Sequence, residues 1–302
     1  MHGIVPMQAG CLVGPMPAMA VQPAPQPSPL QQMPVAYSSV FSRPPTGKAL
    51  RILCYGDSMT VGFCCGGRAF EPYARALAEW ISGLSSTDTP CEVLTCGLSG
   101  LRADTMAEGL VSEGLVDVMG FSGKGLARTL EEHGPFDLVV IMAGTNDMSC
   151  QHEPARILRS LELLHSACHA RGVPTVALAP PPAPSRGPVW EVVRQQVLDS
   201  LRLLAVMAPT RMACIDPAEL VSSARPDMWD ADGLHFSPLG SCTFGQNLAS
   251  AVLRTVLPLL KPEVQPAVGA GRLCQPLNAW QQQWQMGAAL WCQPAGWVMV
   301  QV

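Results

Sequence analysis

The chain is short of charge. Only 14% of its 302 residues are Asp, Glu, Lys or Arg, against about 25% in an average soluble domain, so surface ion pairs have little to contribute. Lys and Arg number 19 against 23 acids, a net charge of -4, and no basic block occurs. The counterion release that drives nucleic-acid binding therefore has no source, which speaks against a DNA- or RNA-binding role. Long apolar runs are also lacking: mean hydropathy is +0.21, yet Pro, Gly or a charge breaks every stretch before the roughly 20 residues a transmembrane helix needs. The opening MHGIVPMQAGCLVGPMPAMA has no Lys or Arg and three prolines, which fits neither a secretory signal nor a transit peptide. No Asn-x-Ser/Thr acceptor is present. Twelve cysteines lie at irregular spacings, Cys64 and Cys65 adjacent, a pattern of free thiols in a reducing compartment more than of a secreted scaffold. A cytoplasmic location is the expectation. GxGxxG, GxxxxGK[ST] and HExxH are absent too, so the phosphate cradles and the helical zinc pair have no representative.

What is present divides into three parts. Residues 1–47 hold ten prolines and five methionines, with Arg43 the one charged side chain; such a stretch cannot offset the entropy of ordering and reads as a disordered extension. Residues 48–260 read as the folded domain. Short apolar runs at 49–55, 91–96, 136–142, 173–179 and 212–216 read as strands. Helical spacing of apolar residues appears at 70–81, within 102–119, at 155–170, near 189–207 and near 238–257. Strands this continuously apolar are buried on both faces, so five of them alternating with helices imply a parallel sheet in a three-layer α/β domain. Residues 261–302 carry no charge after Arg272 but four of the seven tryptophans, Trp280, Trp284, Trp291 and Trp297. This segment reads as a low-complexity tail, with contact to a surface or partner through its tryptophans as the other reading.

In such sheets ligands bind beyond the carboxyl ends of the strands, and four polar blocks stand there. After the first strand comes GDSMTVG (56–62), where Gly56 lets the chain reverse and exposes Ser58, although Asp57 or Ser58 would equally serve as a helix cap. After the second comes CGLSGLRADT, whose Gly100 offers an unshielded N–H. After the third comes GTND (144–147), where Asn146 is placed to aim a carboxamide N–H at an oxygen, or else to form an Asx turn. After the fifth comes DMWDADGLHFSPLG, with Asp232 three residues before His235 and Ser237-Pro238 suited to cap a helix. A histidine held by a carboxylate is what a serine nucleophile requires as base.

Together the four blocks, in this order across about residues 50 to 258, resemble the GDSL, or SGNH, serine hydrolases. The resemblance implies a flavodoxin-like α/β/α fold with five parallel strands in the order 2-1-3-4-5. It implies Ser58 as nucleophile, His235 as base and Asp232 as its orienting acid. The Ser58 and Gly100 backbone N–H groups and the Asn146 side chain would form the oxyanion hole. The implied substrate is a small-molecule acyl ester, of small-ester, lysolipid or acetylated-sugar type, and no cofactor or metal is implied. Two alternatives are a catalytically inactive scaffold of the same fold and an acyltransferase to a sugar or alcohol. The chain departs from the family pattern at Thr95, where Asn often precedes the glycine block. The competing α/β-hydrolase elbow G-x-S-x-G is met by neither GLSGL (97–101) nor GFSGK (120–124). His165 and His169, at i,i+4 beside Cys168, read as packing residues in preference to a metal pair, and Cys64 and Cys65 read as packing or as a redox-sensitive rim. Loops 63–70, 148–154 and 180–188 are expected to wall the pocket.

Overall fold

The computed structural model describes residues 37–41, 49–84 and 90–256. The tryptophan-rich tail, and all of the first extension except residues 37–41, lie outside the described residues. One sheet contains six strands: β1 (Tyr37–Phe41), β2 (Leu50–Gly56), β3 (Cys91–Gly97), β4 (Leu138–Met142), β5 (Thr175–Leu178) and β6 (Met212–Ile215). Their spatial order is β1-β3-β2-β4-β5-β6. The five from β2 to β6 are parallel and take the 2-1-3-4-5 order expected of them. The sixth was not expected: β1 runs antiparallel to β3, Tyr37 opposite Cys96 and Phe41 opposite Glu92. It falls inside the proline-rich stretch, and all its ladder partners come from β3, which local composition does not reveal.

The helices are α1 (Ser58–Val61), α2 (Ala74–Leu84), α3 (Ala103–Glu108), α4 (Leu126–His133), α5 (Thr145–Ser149), α6 (Pro154–His169), α7 (Pro188–Met207) and α8 (Pro238–Val256). Pro154 and Pro188 open α6 and α7 within their first turn, where a missing N–H costs nothing. Ser237 accepts from the Gly240 N–H (3.0 Å) and caps α8. Along β2 the side chains alternate between two cores. Ile52 and Cys54 pack with Tyr73, Leu77, Phe244 and Leu248 on the α2/α8 side. Leu53 and Tyr55 pack with Leu126, Leu161, Leu164 and Leu198 on the other. With both faces covered, the strand is apolar from 52 to 55, while Arg51 near its start stays partly exposed and pairs with Glu92 (2.8 Å). Among the described residues no helix is long and apolar enough to cross a membrane.

The helical stretch expected within 102–119 is α3, a helix of six residues. Gly109 and Gly114 follow, and then a hairpin pairs Leu115–Val116 with Ser122–Gly123. Asp117 accepts from the Met119 and Phe121 N–H groups (both 2.9 Å), taking donors a helix would have used itself.

Candidate active site

The end of β2 is crowded by design of the sheet. A Cβ on Gly56 would lie 2.0 Å from the Met142 carbonyl oxygen and 2.5 Å from Thr60 Oγ1, so only glycine lets β2 and β4 end side by side here. Asp57 N–H donates to Met142 O (3.3 Å) and Leu98 N–H to Gly56 O (2.8 Å), carrying the pairing past the strand ends on both sides. Asp57 then caps α1, its Oδ1 accepting from Met59 N–H (3.0 Å). Ser58 is the first helical residue and is 6% exposed. The capping reading holds for Asp57, while Ser58, expected to stand exposed, is almost fully buried at the start of α1. Complete burial pushes the Asp57 carboxyl up to about 6, despite the hydrogen bond from Met59.

The histidine loop is built as a small antiparallel closure. Trp229 bridges Phe236, both rings are buried, and Asp230 N–H donates to His235 O (2.8 Å). The two core aromatics pin the ends while Asp232 and His235 stand out between them. His235 Nε2 lies 2.9 Å from Ser58 Oγ, across 177 residues of sequence, and His235 Nδ1 lies 2.6 Å from Asp232 Oδ2. Asp232 Oδ1 accepts from the Leu234 and His235 N–H groups, both at 2.9 Å. Partial burial alone would raise the Asp232 carboxyl, but these hydrogen bonds, led by that from the His235 ring, hold it below the usual carboxylate range. The Phe63 ring lies against the imidazole with centroids 4.5 Å apart, and Asp230 Oδ2 accepts from Gly66 N–H (3.2 Å). Loop 63–70 therefore borders the site, as expected; Ser185 N–H donates to Gly233 O (3.2 Å) and brings loop 180–188 to the histidine loop.

Gly100 and Asn146 sit at the ends of β3 and β4. Gly100 has φ +73, the left-handed region that favours glycine. A Cβ on Gly97 would lie 2.3 Å from Val61 N, so the glycine block packs directly on α1. Asn146 Nδ2 donates to Leu101 O (2.9 Å), which ties the GTND block to the residue after Gly100. Asp147, fully buried, strengthens the tie by accepting from Ala103 N–H (2.7 Å). This bracing by Asp147 was missed in the sequence, because nothing local shows that a GTND carboxylate reaches α3.

Asp104, Asp147 and His152 bring one potential ligand atom each within 4.8 Å of one another. Arg156 (2.7 Å) and Arg102 (3.0 Å) both bind Asp104, so cations of the chain already neutralise that carboxylate and the group is an ion-pair network. His165 Nδ1 and His169 Nε2 meet instead at Thr175 Oγ1 on β5, at 2.9 and 3.0 Å. Burial pushes His165 down to about 3. Cys64 is buried, which pushes its thiol up to about 12.

The model of the GDSL-like lipase/acylhydrolase family matches residues 54–241, from within β2 to the first turn of α8. Among solved structures, the chain is similar to a family 3 carbohydrate esterase of Clostridium thermocellum (TM-score 0.53, 18% identity, 71% of this chain and 100% of that one). It is also similar to a carbohydrate acetylesterase family member from Sinorhizobium meliloti (TM-score 0.51, 20% identity, 68% and 98%). A third is the psychrotrophic esterase EstA from Pseudoalteromonas sp. (TM-score 0.51, 14% identity, 68% and 97%). No curated protein matches. At these identities the structures bear on the fold alone, while the family model spans most of the chain and all four polar blocks; the chain belongs to the GDSL-like lipase/acylhydrolase family of hydrolases.

Proposed function

We propose that the protein is a serine esterase acting through a covalent acyl-enzyme. The observation that carries the proposal is the unbroken line from Asp232 through both nitrogens of His235 to Ser58 Oγ, at 2.6 and 2.9 Å. With Asp232 ionised, the imidazole proton rests on Nδ1 and Nε2 is free to accept. His235 takes the Ser58 proton as Oγ attacks the ester carbonyl carbon. The oxyanion accepts from the Ser58 and Gly100 N–H groups and from one hydrogen of the Asn146 amide, whose other hydrogen is committed to Leu101 O. The imidazolium, stabilised by Asp232, protonates the leaving alkoxide, and water activated by the same imidazole releases the acid.

The test is labelling by a fluorophosphonate probe alongside hydrolysis of a short aryl ester. The parent is expected to label and turn over, and Ser58→Ala to do neither. A folded parent inert to both would make the chain a binding protein of the same fold. Product esterified to an added sugar or alcohol, in place of free acid, would make it an acyltransferase.

A further inference from the structure

We infer that Asp117 is a positioning residue for the oxyanion donor at Gly100, an assignment that rests on the esterase reading above. A glycine in the left-handed region is the least constrained residue a chain can place at a point needing accuracy, so something outside the turn must hold it. The hairpin 115–123 does so. Asp117 is 6% exposed; its Oδ2 accepts from Ser99 N–H (3.0 Å), and Oδ1 accepts from Met119 and Phe121 N–H (both 2.9 Å). The turn so fixed presents the Val118 N–H to Ser99 O at 3.1 Å. Ser99 O and the Gly100 N–H belong to one peptide plane, and in a trans peptide they point in opposite directions. Holding Ser99 O against the hairpin therefore aims the Gly100 N–H away from it. Among the described residues this N–H donates to no protein group, as an oxyanion donor in waiting should. The Val118 side chain closes the back of the turn, lying 2.5 Å from where a Gly100 Cβ would stand.

The test compares an ester with its thiono analogue (C=S in place of C=O) in the parent, Asp117→Asn and Asp117→Glu. Sulfur accepts hydrogen bonds poorly, so the thiono ester draws little on the hole. With a misaimed donor, kcat for the oxygen ester is expected to fall about 10- to 100-fold, less than the 100- to 1000-fold of a donor removed outright. KM should stay within about twofold, since the interaction is made in the transition state. The preference for the oxygen ester over the thiono ester should shrink by the same factor as kcat. That ratio does not depend on how much of a variant is folded, so it reads the site even if the hairpin is destabilised. A ratio equal to the parent's in both variants would overturn the assignment. A parent that hydrolyses neither ester would instead overturn the esterase reading.

A different observation, the ring against the catalytic imidazole, bears on substrate. We propose that the leaving-group side of this same site takes an apolar alcohol. His235 Nε2 must reach the leaving oxygen, so the group on that oxygen passes next to whatever covers the imidazole, and Phe63 covers it at 4.5 Å between centroids. The Phe63 ring and the Met119 methyl converge on Gly67, 2.8 and 3.5 Å from the position of a Cβ there. Met119 is 39% exposed and Val118, beside Gly100, is 72% exposed. The Phe63, Met119 and Val118 side chains offer sugar hydroxyls no strong hydrogen-bonding group but cover a hydrocarbon. Acetyl esters of primary n-alkyl alcohols from methyl to hexyl share one acyl group and nearly one leaving ability. Along the series kcat/KM should rise about two- to fourfold per methylene, and Met119→Ser should flatten the slope. A flat series in an active parent, or a slope seen only when the acyl chain is lengthened at constant alcohol, would sink the proposal.

Discussion

Replacing Asp232 with Asn keeps the side chain's size but changes what it can offer His235. The Leu234 and His235 N–H groups both donate to Oδ1 at 2.9 Å, so the carboxamide oxygen must remain there and the NH2 must take the place of Oδ2. That NH2 faces His235 Nδ1, now 2.6 Å from a carboxylate oxygen. Nδ1 becomes the acceptor, the ring proton moves to Nε2, and Nε2 can no longer take the Ser58 proton. Escape requires flipping the amide so that NH2 meets two N–H donors, losing two hydrogen bonds at about 1 to 3 kcal/mol each, or about 30- to 10⁴-fold in rate. The Asp232 side chain is 43% exposed, so water relieves part of this penalty, and the expected loss in kcat is about 10²- to 10³-fold, short of the roughly 10⁴-fold seen when a buried triad is locked in the wrong tautomer. Asp232→Ala imposes no tautomer and should retain more activity than Asp232→Asn. Steady-state hydrolysis of a nitrophenyl ester near neutral pH decides it. An Asn variant within about threefold of the parent, or an Ala variant slower than Asn, would refute the tautomer argument.

Three further outcomes are expected. Asn146→Ala should lower kcat about 100- to 1000-fold by removing a side-chain oxyanion donor; an unchanged kcat in a stopped or continuous ester assay would remove Asn146 from the hole. Gly56→Ala should destabilise the fold by about 3 kcal/mol, because the new methyl meets backbone and the overpacked strand ends must part; urea unfolding at the parent's midpoint would contradict this. His165 is fully buried and pushed down to about 3, so the unfolded chain binds a proton that the folded chain refuses between that value and the free imidazole value of about 6.5. Its contribution is intact above the upper limit and is lost as pH falls through the window, amounting to about 2 kcal/mol at pH 5. The stability of the parent relative to His165→Asn should therefore drop by that amount between pH 7 and pH 5; a difference constant with pH would show that the ring takes up its proton equally in the folded and unfolded chain and would refute the prediction. Comparing the two proteins cancels Asp57, whose raised carboxyl acts with the opposite sign, stabilising the fold as pH falls.

The layered parallel sheet was legible in the amino-acid pattern, because strands buried on both faces are apolar through their middle and helices between them must be apolar on one side. The same pattern also determined the pairing of Asp232 with His235, since a turn brings residues three apart together whatever the rest of the chain does, and the capping roles of Asp57 and Ser237, which are equally local. Packing alone brought about the meeting of Ser58 with His235, the edge strand β1, the reach of Asp147 to α3, the sharing of Thr175 by His165 and His169, and the hairpin by which Asp117 holds Ser99. Each of these is a hydrogen-bond partnership between different elements of the fold, most of them far apart in sequence. Composition and periodicity report which face of an element is buried; they carry no record of which distant donor a given carboxylate or carbonyl will find, because that is set by how the layers pack.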